Sequence, residues 1–279
     1  TMVGRFFTQR ILAAMVKHKC QIAIVETTSE GIKQFRHRFI NYDYLIFTNL
    51  YEDHIEAHGS FANYKEAKGR LFAHLGQCKE KCLDENKYVL KSDSPMKKID
   101  KEWVRKTVIA NGDDEHAEYF LSFPAAEKLV YTLDPQKLWP ENYRVIGFGN
   151  IKAKAGGVDF SVEGVDFSLG ILGDFNAVND MNAVALAKVM GHQYPEIASA
   201  LSRVSYIAGR LESINEGQDF TVIVDYAFEP QALGKLYQTL DHIPHQKVMH
   251  VLGATGGGRD KARQPLLGQI AGKSADLVI

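Results

Sequence analysis

The sequence predicts an α/β protein with a mostly parallel sheet, an antiparallel patch in mid-chain and a further βα unit after it. Three observations carry this expectation. Short apolar runs bounded by polar residues or glycine recur along the chain. Longer stretches with helical periodicity separate them, as βα units require. Between residues 117 and 172 the pattern changes to alternation, with a tight turn at Glu163-Gly164.

In chain order, Phe7, Ile11, Leu12 and Met15 open the sequence at helix spacing. Ile22 to Val25 and Tyr44 to Phe47 read as the first two strands, Asn63 to Leu75 as a helix, and Thr107 to Ala110 as the next strand. Ala117 to Phe123, Val145 to Gly149, Val158 to Glu163 and Val165 to Leu172 form the expected antiparallel patch. Helices are expected over Asn176 to Met190, Pro195 to Ser202 and Gln231 to His242, with strands at Thr221 to Val224 and Val248 to Leu252. The segment Ser205 to Arg210 marks a boundary, so residues 1–208 are read as one domain and 209–279 as the first part of a second. The early helix and the apolar run Ala275 to Ile279, a strand barely begun, give both ends the look of cut edges.

Composition narrows the function. The 279 residues carry 33 Lys plus Arg against 34 Asp plus Glu, a formal net charge of -1, so no nucleic-acid partner is expected. Three cysteines, Cys20, Cys78 and Cys82, are too few for a disulfide framework and favour the cytoplasm. No apolar run approaches the roughly 18 residues of a spanning helix, and no signal-peptide pattern opens the chain, so membrane insertion is not expected. Cys78 and Cys82 lack the further ligands of a zinc site and read as packing residues.

Polar clusters follow two strand-like runs, Glu26-Thr27-Thr28-Ser29 after the first and Thr48-Asn49 with Asp53-His54 after the second. Open parallel sheets gather ligands at the carboxyl ends of their strands. Glu26 and His54 suit Mg²⁺ or Mn²⁺; a helix-capping glutamate and a loop histidine are the commoner alternative. Asn176 and Asn179 share a helix face, and their amides offer the donor and acceptor that a purine edge needs. An Asn at a helix start is also often only a cap. The run Gly253 to Asp260 can cradle an anion, but it has neither dinucleotide-loop nor Walker spacing.

Together these motifs resemble the Mur ligase family, within it the members that add the third residue of the peptidoglycan stem peptide. The resemblance rests on Val25-Glu26-Thr27-Thr28-Ser29, Phe47-Thr48-Asn49-Leu50 with Asp53-His54 and His58-Gly59, and Tyr64 with Ala67-Lys68. It continues through Gly173-Asp174-Phe175-Asn176-Ala177-Val178-Asn179, Gly209-Arg210-Leu211-Glu212, Val224-Asp225-Tyr226-Ala227 and Gly256-Gly257-Gly258-Arg259-Asp260-Lys261. It implies a P-loop-NTPase-like central domain followed by a Rossmann-like C-terminal domain. The implied activity is ATP-dependent amide ligation in peptidoglycan precursor synthesis, adding an amino acid to UDP-N-acetylmuramoyl-L-alanyl-D-glutamate through an acyl phosphate.

By position, the resemblance implies that Glu26, His54 and Lys68 hold Mg²⁺, with Lys68 carbamylated. It implies that Asn176 and Asn179 contact adenine, Arg210 the γ-phosphate and Asp225 the ribose. It places Lys68 and Arg210 in catalysis, and Thr28, Ser29, Arg36 and Arg259 against the muramoyl-peptide or the incoming amino acid. On residue type alone, Lys68 reads as a surface lysine and Arg36 as a surface cation.

The sequence departs from the family pattern in places. The family's glycine-rich phosphate loop is expected upstream of Thr1, and the Asp-Asn-Pro-Arg motif of its diaminopimelate-adding members beyond Ile279. The 279 residues are therefore expected to be an incomplete fragment, active only with its flanks, and they do not specify which amino acid is added. Glu30 stands where a histidine usually follows the two hydroxyl residues, and Phe228-Glu229 stand where His-Thr usually follow Asp-Tyr-Ala. A folylpolyglutamate synthase-like ligase and a non-catalytic paralogue acting as a binding subunit are the alternatives.

Overall fold

The computed structural model describes residues 2–51, 55–84, 87–90, 103–253 and 263–279, without the side chains of 55–56, 83–84 and 87–90. The chain divides into two compact units, residues 1–132 with 136–145, and 133–135 with 146–279.

In the first unit, α1 (Arg5–Lys17) is followed by an extended segment and the short helix α2 (Ser29–Lys33). Residues 22–25 form no strand, which corrects the sequence expectation. Ile22 and Ile24 are exposed, Ile24 by 88%, so this apolar run does not enter the described sheet. Next come β1 (Tyr44–Phe47), α3 (Ile55–His58) and α4 (Phe61–Leu75). Three short strands, β2 (Lys81–Asp84), β3 (Lys87–Leu90) and β4 (Trp103–Val104), form an antiparallel sheet in the order β3-β2-β4.

Three parallel strands carry the unit, β1, β5 (Thr107–Asn111) and β6 (Glu127–Thr132). Tyr44 pairs with Thr107, and Thr107 with Glu127. All five residues of β5 are buried, as a strand covered on both faces must be. Between β5 and β6 lies α5 (Ala117–Leu121), where a strand was expected. Ala117, Phe120 and Leu121 recur at i, i+3 and i+4, and burying that stripe selects a helix. Phe120 stacks on Phe47 at 4.1 Å and meets Phe72 of α4 at 4.8 Å.

Helix α4 is capped by Ser60, whose hydroxyl accepts from the Asn63 amide at 3.2 Å, and it buries Tyr64, Ala67, Leu71, Phe72 and Leu75. Gly69 lies on the same helix where the tips of Tyr119, on α5, and of Phe123, just after it, approach closely. A methyl group would collide with the Tyr119 hydroxyl and come within 2.9 Å of the Phe123 ring. Behind the sheet's amino end, Asp43 is clamped by Lys81 at 2.6 Å and by the buried Lys106 at 3.0 Å. Cys82 is buried and Cys78 donates to the Ile40 and His74 carbonyls, so both pack as expected.

In the second unit, β7 (Arg144–Lys154), β8 (Gly157–Val162) and β9 (Val165–Leu169) form the expected antiparallel patch. Glu163 and Gly164 both take positive φ, 49° and 80°, as a tight two-residue hairpin turn requires. Helices α6 (Phe175–Val189) and α7 (Tyr194–Leu201) pack on β8 and β9, burying Met181, Val184 and Ile197. The pair β10 (Glu212–Ile214) and β11 (Val222–Val224) is antiparallel, and β12 (Met249–His250) pairs in parallel with β13 (Leu277–Val278). Between them, α8 (Pro230–Leu240) and α9 (Gln264–Ser274) bury Leu233, Tyr237, Leu267 and Ala271 against each other.

Candidate active site

The predicted residues fall into two sets, one in each unit. In the first, Glu26 ends the extended segment as an exposed carboxylate, with no hydrogen bond or ion pair among the described residues. Thr28 caps α2, its hydroxyl accepting from the Gly31 amide at 3.1 Å. That bond leaves the hydroxyl hydrogen available to a ligand. Ser29 is buried, and its hydroxyl lies 3.1 Å from Nε2 of His58. The half-buried Arg36 spends its guanidinium locally, donating to Gln34 Oε1 from Nε and Nη2 and to the Met2 carbonyl. Lys68 is half-buried on α4, its ammonium 5.2 Å from the centre of the Tyr64 ring. His54 and Arg259 lie outside the described residues.

One feature of the first unit escaped the sequence reading. Asn111 ends β5 and Gly112-Asp113-Asp114 follows it, at the same sheet end as Thr48-Asn49-Leu50. Asp114 accepts from the Leu50 amide at 3.0 Å and from the His116 amide at 2.8 Å, fixing the loop after β1 to the start of α5. Thr132, at the end of β6, donates to Asp113 at 2.5 Å. The signal was available, since a third strand with a polar exit invites the same strand-end argument.

In the second unit, Asn176 does not cap its helix with a side-chain oxygen. Its Nδ2 donates to the Leu172 carbonyl at 2.6 Å, and its Oδ1 accepts from Asn179 at 2.9 Å. The two amides therefore form one unit, with Asn179 exposed at its outer end. Nearby on the chain, Asp180 has its carboxyl pushed up to about 6 by burial.

Arg210 and Asp225 are brought together by backbone chemistry. Asp225 accepts from the Leu211 amide at 2.8 Å, and Glu212 accepts from the Gly209 amide at 2.7 Å. Gly209 and Leu211 both hold positive φ, so the chain turns sharply on either side of Arg210. The Arg210 guanidinium lies 5.2 Å from the centre of the Tyr226 ring. It also borders a cavity of about 440 Å³ walled by residues including Leu172, Tyr206, Glu212 and Asn215. That size is within the range of small-molecule sites. At the family departures, Phe228 meets the Tyr226 ring edge-on and Glu229 lies 3.8 Å from Arg263. No group of three or more metal-ligating side chains occurs among the described residues.

A family model for the Mur ligase middle domain matches residues 5–187, and one for the Mur ligase glutamate ligase domain matches 209–279. The chain belongs to the Mur ligase family. This Mur ligase chain is 31% identical over 279 residues to UDP-N-acetylmuramyl-tripeptide synthetase of Roseiflexus sp. (strain RS-1), covering 97% of the chain and 50% of the relative. It is 32% identical over 276 residues to UDP-N-acetylmuramoyl-L-alanyl-D-glutamate–2,6-diaminopimelate ligase of Geobacillus kaustophilus (strain HTA426), again covering 97% and 50%. The chain thus spans about half the length of the curated relatives it matches. A solved structure of a UDP-N-acetylmuramoyl-L-alanyl-D-glutamate–2,6-diaminopimelate ligase shares the fold with TM-score 0.66, at 24% identity over 99% of this chain and 51% of that one. The α/β class expected from the sequence is confirmed.

Proposed function

We propose that this chain supplies central and C-terminal parts of an enzyme that uses ATP to join an amino acid to UDP-N-acetylmuramoyl-L-alanyl-D-glutamate. The observation that carries this reading is 31–32% identity, over 97% of the chain, to relatives named for that substrate or product. We place the central domain at residues 1–208 and the start of the C-terminal domain at 209–279, and the reaction in the cytoplasm. No described helix is long and apolar enough to cross a membrane.

In the reaction, a carboxylate oxygen of the muramoyl-peptide attacks the γ-phosphorus, and the bond to the ADP oxygen breaks. The amine of the amino acid then attacks the acyl carbon, phosphate leaves and the amine gives up a proton. Carboxylate and triphosphate repel, so the site must supply positive charge and alignment. Arg210 provides a cation for the γ-phosphate. Asp225 keeps one oxygen on the Leu211 amide, and its other oxygen has no partner among the described residues and suits a ribose hydroxyl. Asn176 is spent on Leu172 and Asn179, which leaves Asn179 to offer an acceptor and a donor to the adenine edge.

The donor set fits Mg²⁺ at Glu26, an exposed hard-oxygen ligand that no described protein donor engages. Glu26, His54 and a carbamylated Lys68 would hold the ion, and Mg²⁺ would neutralise phosphate charge. Lys68 gains its carbamate by attack of the neutral amine on CO₂ with loss of a proton, turning a cation into an anionic oxygen donor. Thr28, Ser29, Arg36 and Arg259 are assigned to the muramoyl-peptide and amino-acid side, with Ser29 acting from within the protein because its hydroxyl faces His58.

The test is turnover of the natural protein with ATP, Mg²⁺, UDP-N-acetylmuramoyl-L-alanyl-D-glutamate and a panel including diaminopimelate and lysine. ADP release with formation of the amide is expected, and Lys68→Ala should slow it by about 100-fold or more. Intact mass should show one CO₂ on Lys68 in saturating bicarbonate, lost in acid. No ADP release with any amino acid sinks the reading.

A further inference from the structure

The exit of the extended segment is locked to α3 by a cluster centred on His58. Its side chain is 3% exposed and its Nε2 lies 3.1 Å from Ser29 Oγ and 3.6 Å from Glu30 Oε1. Glu30 Oε1 is also 3.7 Å from Lys33 Nζ, and Lys33 donates to the Ala57 carbonyl at 3.0 Å. Although the Glu30 side chain is 45% exposed, this oxygen is buried and accepts no hydrogen bond. Asn63 Nδ2 donates to the His58 carbonyl at 3.0 Å, holding the end of α3 to α4.

Serine and acid meet the imidazole on the same nitrogen. In a nucleophilic serine site they take opposite nitrogens, so this cluster is not one. Its electrostatics assign the hydrogen instead. A carboxylate oxygen 3.6 Å from a ring lone pair is repelled, whereas beside a ring N–H it is attracted. With the hydrogen on Nε2, His58 donates to Ser29, and the buried Glu30 oxygen lies beside the positive end of that N–H and the Lys33 ammonium.

We infer that Glu30 is a positioning residue. It fixes His58 with hydrogen on Nε2, and through the bond from His58 to Ser29 it holds the first turn of α2 and the capping Thr28 hydroxyl. The identity of the ligand at Thr28 rests on the ligase reading above, but the tautomer of His58 does not.

Long-range proton–nitrogen correlation spectra of the ¹⁵N-labelled natural protein, assigned with His58→Gln, read the tautomer directly. Hydrogen on Nε2 is expected in the wild type, and a mixture of tautomers in Glu30→Gln. The same substitution should raise KM for the muramoyl-peptide about tenfold while kcat and KM for ATP stay within about twofold, and Glu30→Asp should recover part of the loss. A lone pair on Nε2 in the wild type, or an unchanged muramoyl-peptide KM in Glu30→Gln, overturns the assignment. A wild-type protein without ligase turnover defeats the ligase reading, and the spectra then decide the role of Glu30 alone.

Discussion

The residues around Lys68 and those around Arg210 are held by different means. Lys68 rides on α4, a helix pressed through Phe72 onto Phe120 beside a sheet whose central strand is buried at every position. Arg210 sits between two residues of positive φ, and β10 and β11 beside it contain no buried residue. One region is positioned by packing, the other by backbone amides on the carboxylates of Asp225 and Glu212. Positioning by packing is indifferent to the loss of an exposed polar group and fails when volume is lost. A turn pinned by two carboxylates does the reverse.

The largest expected effect tests the packed side. Phe120→Ala should cost about 3–5 kcal/mol in urea unfolding, because a fully buried ring in contact with Phe47, Phe72 and Tyr119 leaves a cavity. A loss under about 1 kcal/mol would break the contrast.

Acid provides the next test, again on the packed side. His37 is buried against His74, 5.3 Å away, and its pKa is lowered to about 4 by burial first, then by the charges of His74 and Arg38. The folded protein keeps this ring neutral while the unfolded chain protonates it near 6.5. Protonation therefore favours unfolding: its effect is absent above 6.5 and grows as pH falls toward 4, reaching up to about 3 kcal/mol. His37→Phe should flatten that part of a stability-against-pH curve, and an unchanged slope would remove His37 as its source.

On the turn side, Asp225→Ala removes the acceptor of the Leu211 amide and should cost about 1–2 kcal/mol locally. Hydrogen exchange at Leu211 should quicken while exchange in β5 stays as in the wild type. Glu26→Gln should be the smallest change, within about 0.5 kcal/mol by denaturation, since Glu26 is exposed and unpaired among the described residues. A larger loss would give Glu26 a structural role and weaken its assignment to Mg²⁺.

Much of the framework was legible because its signals are local. Tyr44–Phe47 and Thr107–Asn111 are apolar runs with polar exits, and Phe61–Leu75 repeats its buried positions at helical spacing. Ala117–Leu121 was misread because five residues hold too few turns to separate helix from alternation. Glu127–Thr132 was missed because its four consecutive buried residues carry no period. Ile22–Val25 has the composition of a strand but no partner among the described residues, and pairing is not a local property. In the site, the Asn176–Asn179 pair was legible from spacing. The Asp114 bond to Leu50 spans 64 residues, and the Glu30–His58 contact joins two helices; no window along the sequence holds both partners.

The missing side chain at Gly69 has a consequence for how this protein can diverge. Lys68 is placed beside a position where a methyl group on α4 would have to push aside the tips of the Tyr119 and Phe123 side chains. Residue 69 is therefore not free to drift alone. Descendants that acquire alanine there should have turned aside or shortened the side chains at 119 and 123, so a change at 69 is felt at two positions outside the reacting groups.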